Sequence, residues 1–420
     1  MGKAIFELRR QEATKNNVSV IENEIASRAD NEFDALLCKD VVCREVDGTS
    51  VLVGKEMLKR LPHIVEDFAP SPQIAIIYLS DVAHIARKLS VAMSHAGWRV
   101  YEMSMPDEAK LTEQNKLLLS VPEYIRFIIA IGSGRISELC ALVAKKQNID
   151  FGIYATAPST DSYISAVKAP KFVVADELEL QSCPKQLVAA GVGIVLSQPL
   201  KEFERRIESL LFETIYSGQI GKNASKIRAK RIMLEDGTVD VIELFWQLVD
   251  LSKQNKRQSF VASAEILADI LARADGKRYF GEYVFVASYL IAGFYSAYLS
   301  GDCSDVLLPP DKVKTMKLLE KKCGFNYFSL VKRIDILSIN SYFRIKYILS
   351  EYRKDLLDEL SDLNFKSAQK FWRRQYADAG FWLSNTFCVK ELLSLMSLSG
   401  ELAGGLLGFA KASGALENYI

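Results

Sequence analysis

The residues of this sequence best suited to chemistry lie in two short segments. Gly132-Ser133-Gly134-Arg135 follows the apolar run Phe127–Ile131 and precedes a stretch of helical spacing. A glycine-rich turn between a strand and a helix lets backbone N–H groups and the positive helix end approach a phosphate closely. A tight turn that only needs small residues fits this segment equally well. The second segment, Ala155-Thr156-Ala157-Pro158-Ser159-Thr160-Asp161-Ser162, follows the next apolar run and offers hydroxyls and a carboxylate. If both runs are parallel strands, the segments meet at the carboxyl edge of one sheet, where ligands bind in open α/β folds. Asp81 closes an earlier apolar run and joins Gly132, Ser133, Gly134, Arg135, Thr156 and Ser159 as expected cofactor-binding residues. Asp161 and Lys168, with Ser159, are the candidate catalytic residues that would orient a substrate. Tyr163 and Tyr283 are further proton-donor candidates, although interior tyrosines more often serve as core.

The elements that must position these residues can be read from periodicity. Ile74–Leu79, Trp98–Tyr101, Phe127–Ile131, Phe151–Tyr154 and Lys171–Ala175 are short apolar runs of strand length. Helical spacing covers Ala83–His95, Glu108–Leu119 and Ile136–Lys146 between them. Near-continuous apolar strands alternating with helices predict a parallel sheet covered on both faces. Beyond about residue 180 the spacing is helical: Leu200–Ile215, Val239–Ser252, Ala262–Arg273, Tyr283–Tyr298, Asp311–Lys322, Phe343–Leu360 and Cys388–Leu398. The expected organisation is a charged, helical or partly mobile extension over 1–50, an α/β nucleotide-binding domain over 51–190, and an all-α domain over 191–420.

Bulk properties narrow the function classes. The chain has 420 residues, with 53 basic and 52 acidic side chains, so the net charge is +1. That balance argues against nucleic acid as the main partner. The seven cysteines include no C-x-x-C pair, so neither a zinc ribbon nor a disulfide framework is indicated. Met1–Arg10 is charged and lacks the apolar core of a signal peptide, and Val284–Ser300 falls short of a spanning helix. A cytoplasmic protein with no membrane partner is expected. Phe371–Trp382 is dense in aromatics and arginine, as a helix packing its aromatic stripe or as an interaction surface.

The ordered motifs resemble the sn-glycerol-1-phosphate dehydrogenase branch of the iron-containing alcohol dehydrogenase and dehydroquinate synthase superfamily. The resemblance begins at Val51-Leu52-Val53-Gly54 and continues through Gly132–Ile136, Thr156–Ser159 with Asp161, and Val173–Leu178. It extends through Cys183–Gly193, Ala262-Ser263-Ala264-Glu265 and Gly281-Glu282. It implies a Rossmann-like, dehydroquinate-synthase-like α/β domain and a helical domain with the active site between them. It also implies NAD or NADP as cofactor and a homo-oligomer.

The same resemblance implies a catalytic metal held by one Asp and two His of the helical domain. At the matching positions this sequence has Ile194, Ile266 and Phe280, and its only histidines are His63, His84 and His95. Hydrocarbon side chains donate no electron pair, so no metal is expected there, and three of them around one pocket would leave it dry. Between Asp161 and Val173 the link is shorter than in relatives, and Gln198 stands where the family has lysine. The expectation is therefore a metal-independent, degenerate family member that binds a small-molecule nucleotide and acts as a regulatory pseudoenzyme, with a protein partner possible in that role. The alternatives are a metal-free NAD(P)H-dependent oxidoreductase acting on a small carbonyl or phosphorylated substrate, and a structural or assembly protein.

Overall fold

The computed structural model describes residues 40–105, 121–164, 167–212, 224–257, 262–265, 267–268, 272, 279–300 and 347–376. The chain divides into two compact units, Met1–Pro184 with Phe245–Ser259, and Lys185–Leu244 with Phe260–Ile420. The helical windows expected at Glu108–Leu119, Asp311–Lys322 and Cys388–Leu398 lie outside the described residues.

The first unit is built on a seven-stranded sheet among the described residues. Its strands are β1 (Val41–Val46), β2 (Thr49–Gly54), β3 (Gln73–Leu79), β4 (Arg99–Met105), β5 (Phe127–Ile131), β6 (Asp150–Ala155) and β7 (Phe172–Asp176). They lie in the order β1-β2-β7-β6-β5-β3-β4. Only β1 and β2 pair antiparallel; every other neighbouring pair is parallel. All residues of β5 and β7 are buried, as two-sided cover requires.

Helices α1 (Met57–Glu66) and α2 (Ala83–His95) cover one face, with Met57, Leu61 and Leu89 packed against Ile76, Ile129 and Val174. Helix α3 (Arg135–Gln147) follows β5, and α4 (Glu177–Ser182) follows β7. His84 and His95 are exposed on α2, and His63 is half-buried on α1.

Two features of this unit differ from the expectation. Val41–Val46, assigned to a helical or mobile extension, is an edge strand whose register runs from Val41 opposite Gly54 to Val46 opposite Thr49. Its central residues Arg44 and Glu45 are exposed, so its sequence is charged where an interior strand is apolar. In addition, Phe245–Ser259 belongs to this unit although it is distant in sequence. Phe245 packs its ring 5.1 Å from Tyr163, Ser252 Oγ accepts from Tyr163 N at 3.2 Å, and the Arg44 guanidinium lies 4.2 Å over the Trp246 ring.

The described residues of the second unit are mainly helical. They include α5 (Lys185–Phe212), α6 (Ala224–Arg231), the first turn of α7 (Val241–Arg257) up to Leu244, α8 (Phe280–Ser300), α9 (Arg353–Asp362) and α10 (Phe365–Tyr376). Helices α5 and α8 cross at glycines: a Cβ on Gly193 would lie 2.2 Å from Gly281 O, and one on Gly281 would lie 2.1 Å from Ala190 O. Backbones this close leave room only for hydrogen atoms. Among the described residues no helix is long and apolar enough to cross a membrane, α8 included.

Candidate functional site

Strand order sets where a ligand can bind. The chain runs outward from β3 to β4, then returns to the other side of β3 to form β5. The switch point therefore lies between β3 and β5, and the crevice outside their carboxyl ends is where open α/β sheets bind ligands. Asp81 lies in a 3-10 turn, Ser80–Val82, directly after β3, and is exposed. Gly132 directly follows β5.

The turn after β5 is shaped by its glycines. Gly132 has φ +132° and Gly134 has φ +62°, both conformations that side chains resist. A Cβ at Gly132 would also lie 2.8 Å from Ile136 Cγ2, so the turn sits tightly on the first turn of α3. Gly132 N donates to Tyr154 O at 3.0 Å, which fixes the end of β5 against β6. Gly134 caps α3 without a side chain, so it does not compete for the first-turn N–H groups. First-turn N–H groups and the helix dipole at such a terminus favour an anion.

The segment after β6 is joined to this turn. Ser133 Oγ and Ser159 Oγ share a hydrogen bond of 2.7 Å. Thr160 Oγ1 accepts from Ser162 N at 3.1 Å and pairs with Ser162 Oγ at 2.6 Å. Ser159 N donates to Ala157 O at 3.1 Å. Thr156 is buried, Asp161 and Ser159 are half-buried, and Arg135 is exposed as the first residue of α3. Glu138 is an acidic residue in the first turn of α3. Its carboxyl is held above the ordinary glutamate range by desolvation; Asp161 adds to the shift and Ser162 opposes it. The side chain is exposed, so water screens much of that effect.

The structure does not bring Lys168 to Asp161. Its Nζ donates to Ile149 O at 2.5 Å and lies 3.2 Å from Asp150 Oδ1, at the amino end of β6. Lys168 thus sits at the amino end of β6, the sheet edge opposite the turn after β5. Tyr163 is fully buried, its hydroxyl donates to Ala157 O, and burial pushes that hydroxyl far above its ordinary range, so it is core. Tyr283 is likewise fully buried, on α8.

Asp176 was legible only as part of a motif. Its Oδ2 accepts from Met57 N at 2.8 Å and its Oδ1 from Leu178 N at 2.9 Å. One buried carboxylate thus caps both α1 and α4.

Ile194, Ile266 and Phe280, where the resemblance implies metal ligands, have hydrocarbon side chains. Ile194 is 6% exposed on α5, whereas Phe280, the first residue of α8, is 47% exposed. The two therefore do not line one dry pocket as expected, because the start of α8 faces solvent; Ile266 lies outside the described residues. Gln198 turns back on its own helix, donating to Ile194 O at 3.2 Å. Neither Ile194 nor Phe280 can ligate a cation, and among the described residues no group of three His, Cys, Asp or Glu could hold a metal. The donor set at these positions does not fit a divalent ion.

The motif glutamates that remain have structural work. Glu265 Oε2 accepts from Ala262 N at 3.1 Å and Glu282 Oε2 from Tyr279 N at 2.9 Å, each reaching back three residues as in a capping box. Glu265 Oε1 also pairs with the buried Lys201 at 2.5 Å. Beside it, the buried Glu204 accepts from Ser263 N at 2.7 Å and Tyr295 Oη at 2.9 Å.

Burial holds the Glu204 carboxyl above the ordinary glutamate range, with Ser263 and Tyr295 opposing the shift and Glu265 adding to it. The folded state then keeps a proton that the unfolded chain releases. Its contribution favours folding on the acid side and is lost as pH rises through the folded-state value. Urea midpoints from about pH 5 to about pH 8 should show that slope, at most about 1.4 kcal/mol per pH unit from one group. Glu204→Gln should flatten it.

Residues 52–184 match the family model described as iron-containing alcohol dehydrogenase. Glycerol-1-phosphate dehydrogenase [NAD(P)+] of Methanosarcina acetivorans is 25% identical over 202 residues, covering 44% of this chain and 56% of that protein. Its counterpart in Pyrococcus horikoshii is 24% identical over 162 residues, covering 35% and 46%. The chain spans about half the length of the curated relatives it matches. Among solved structures, the aldehyde reductase YqhD of E. coli aligns with TM-score 0.48 and 14% identity over 89% of this chain and 100% of that one. An NADH-dependent butanol dehydrogenase of Thermotoga maritima aligns with TM-score 0.47 and 10% identity over 88% and 98%.

Proposed function

We propose that this chain, whose residues 52–184 match the iron-containing alcohol dehydrogenase family, binds a nicotinamide dinucleotide without a metal and acts as a binding or regulatory pseudoenzyme. The observation that carries this reading is the pair of positive-φ glycines that joins β5 to α3 beside the switch point. Gly132, Gly134 and the start of α3 would hold the pyrophosphate, with Arg135 supplying charge and Ser133, Thr156 and Ser159 hydroxyls. Asp81, at the next strand end, suits a ribose hydroxyl and repels a 2′-phosphate, so NADH is favoured over NADPH. The bound nicotinamide would supply hydride chemistry. The similar glycerol-1-phosphate dehydrogenases are named for NAD(P)+, which supports the cofactor class.

A second reading, metal-free reduction of a small carbonyl or phosphorylated substrate, is favoured by the Glu138 carboxyl. It lies close enough to Asp161 and Ser162 to interact with both, which sets two acid–base groups and a hydroxyl beside the turn after β5. Chelator-treated protein mixed with NADH and a panel of small aldehydes and dihydroxyacetone phosphate separates these readings. The pseudoenzyme reading expects no loss of nicotinamide absorbance. Turnover indifferent to chelator establishes the second reading, and turnover restored only by zinc overturns metal independence.

A further inference from the structure

Near-equal totals of basic and acidic residues conceal an uneven surface. Helix α6 reads Ala-Ser-Lys-Ile-Arg-Ala-Lys-Arg, and α10 reads Phe-Lys-Ser-Ala-Gln-Lys-Phe-Trp-Arg-Arg-Gln-Tyr; neither contains an acidic residue. The two helices pack against each other within the second unit. Lys226, Lys230, Arg231, Lys370 and Arg374 are all exposed. None of these five forms an ion pair with another described residue. Gln375 Nε2 donates to Gly237 O, which ties α10 to the turn just after α6.

Apolar side chains stand among the cations. Ile227 on α6 is 50% exposed, and Leu234 and Met233 in the following turn are 46% and 37% exposed. Glu235 and Asp236 are the acidic residues of that turn, so five exposed cations stand against two carboxylates.

We propose that the face formed by α6, α10 and the turn between residues 232 and 238 docks on an anionic phospholipid bilayer. Exposed cations are attracted to the headgroup charge, and each contributes when held near the surface. Aliphatic side chains between them enter the headgroup and acyl boundary. Single-stranded nucleic acid is favoured by aromatic stacking platforms rather than by aliphatic side chains such as Ile227, Met233 and Leu234, which suit a lipid surface. No spanning helix is needed, since the contact is peripheral.

The test is co-sedimentation of the full chain with vesicles of phosphatidylcholine alone and of phosphatidylcholine with about a quarter phosphatidylserine. The expected result is sedimentation with the anionic vesicles only, released by salt as the charges are screened. The triple variant Lys226→Ala/Lys230→Ala/Arg231→Ala should lower the partition coefficient on the order of a hundred-fold, at about five-fold per charge. Ile227→Ser with Leu234→Ser should weaken binding while leaving its salt dependence intact. These positions are exposed, so the variants should keep the parent's circular dichroism. Equal sedimentation with both vesicles, none with either, or retention in the triple variant overturns the proposal. So does displacement of the protein from anionic vesicles by RNA at matched phosphate.

Discussion

Alanine at Gly193 is expected to destabilise the helical unit by about 3 kcal/mol, although the same change in an open helix is stabilising by roughly 1 kcal/mol. The sign is set by the crossing of α5 and α8. A Cβ at Gly193 would lie 2.2 Å from Gly281 O, 3.0 Å from its carbonyl carbon and 3.1 Å from Phe285 Cβ. The nearest atoms are backbone, so no side-chain rotation relieves the contact, and the helices must part. Parting them opens space along two long buried faces, which costs more than the propensity gain. Gly281→Ala should act similarly, because its Cβ would meet Ala190 O at 2.1 Å. The two changes together should cost less than their sum, since one displacement relieves both. Urea midpoints of the three variants measure this directly.

Asp176→Ala is the second large effect expected, again about 3 kcal/mol, now in the α/β unit. Each lost N-cap costs roughly 1 kcal/mol, and leaving a buried N–H without a partner adds about 1–3 kcal/mol. Asp176 caps α1 through Met57 N and α4 through Leu178 N, and it is buried. Asp176→Asn keeps one accepting oxygen but turns an amide towards the other N–H, so it should recover about half of the loss. A thermal unfolding series of parent, Asn and Ala variants should fall in that order. Equal stability of all three would mean the carboxylate is not the cap described here.

Parts of this architecture were legible because local and tertiary preferences agree. Phe127–Ile131 and Phe172–Asp176 are buried on both faces, so their apolar runs state the parallel sheet outright. The turn at Gly132 and Gly134 was legible because only glycine accepts its φ angles readily. Other parts depend on distant partners. Val41–Val46 is an edge strand, and its exposed Arg44 and Glu45 hide the pattern. The Phe245–Ser259 segment joins the first unit through Tyr163 and Arg44, residues far from it in sequence. Lys168 lay near Asp161 in sequence, but it pairs with Asp150. Glu265 and Glu282 marked a resemblance, and in this chain each carboxylate accepts from an N–H three residues earlier, a contact their spacing alone does not reveal.

The proposed function rests on the Gly132–Arg135 turn holding a dinucleotide. Titration with NADH and NADPH, followed by nicotinamide fluorescence and calorimetric heat, tests it most directly, with Arg135→Glu measured beside the parent. An acidic first-turn residue suits a helix N-terminus, so that variant should fold while repelling phosphate. The parent should bind at micromolar concentration, more tightly for NADH, and the variant should lose at least about tenfold. Absence of binding to either cofactor by the folded parent, or equal affinity in the variant, would contradict the proposed function.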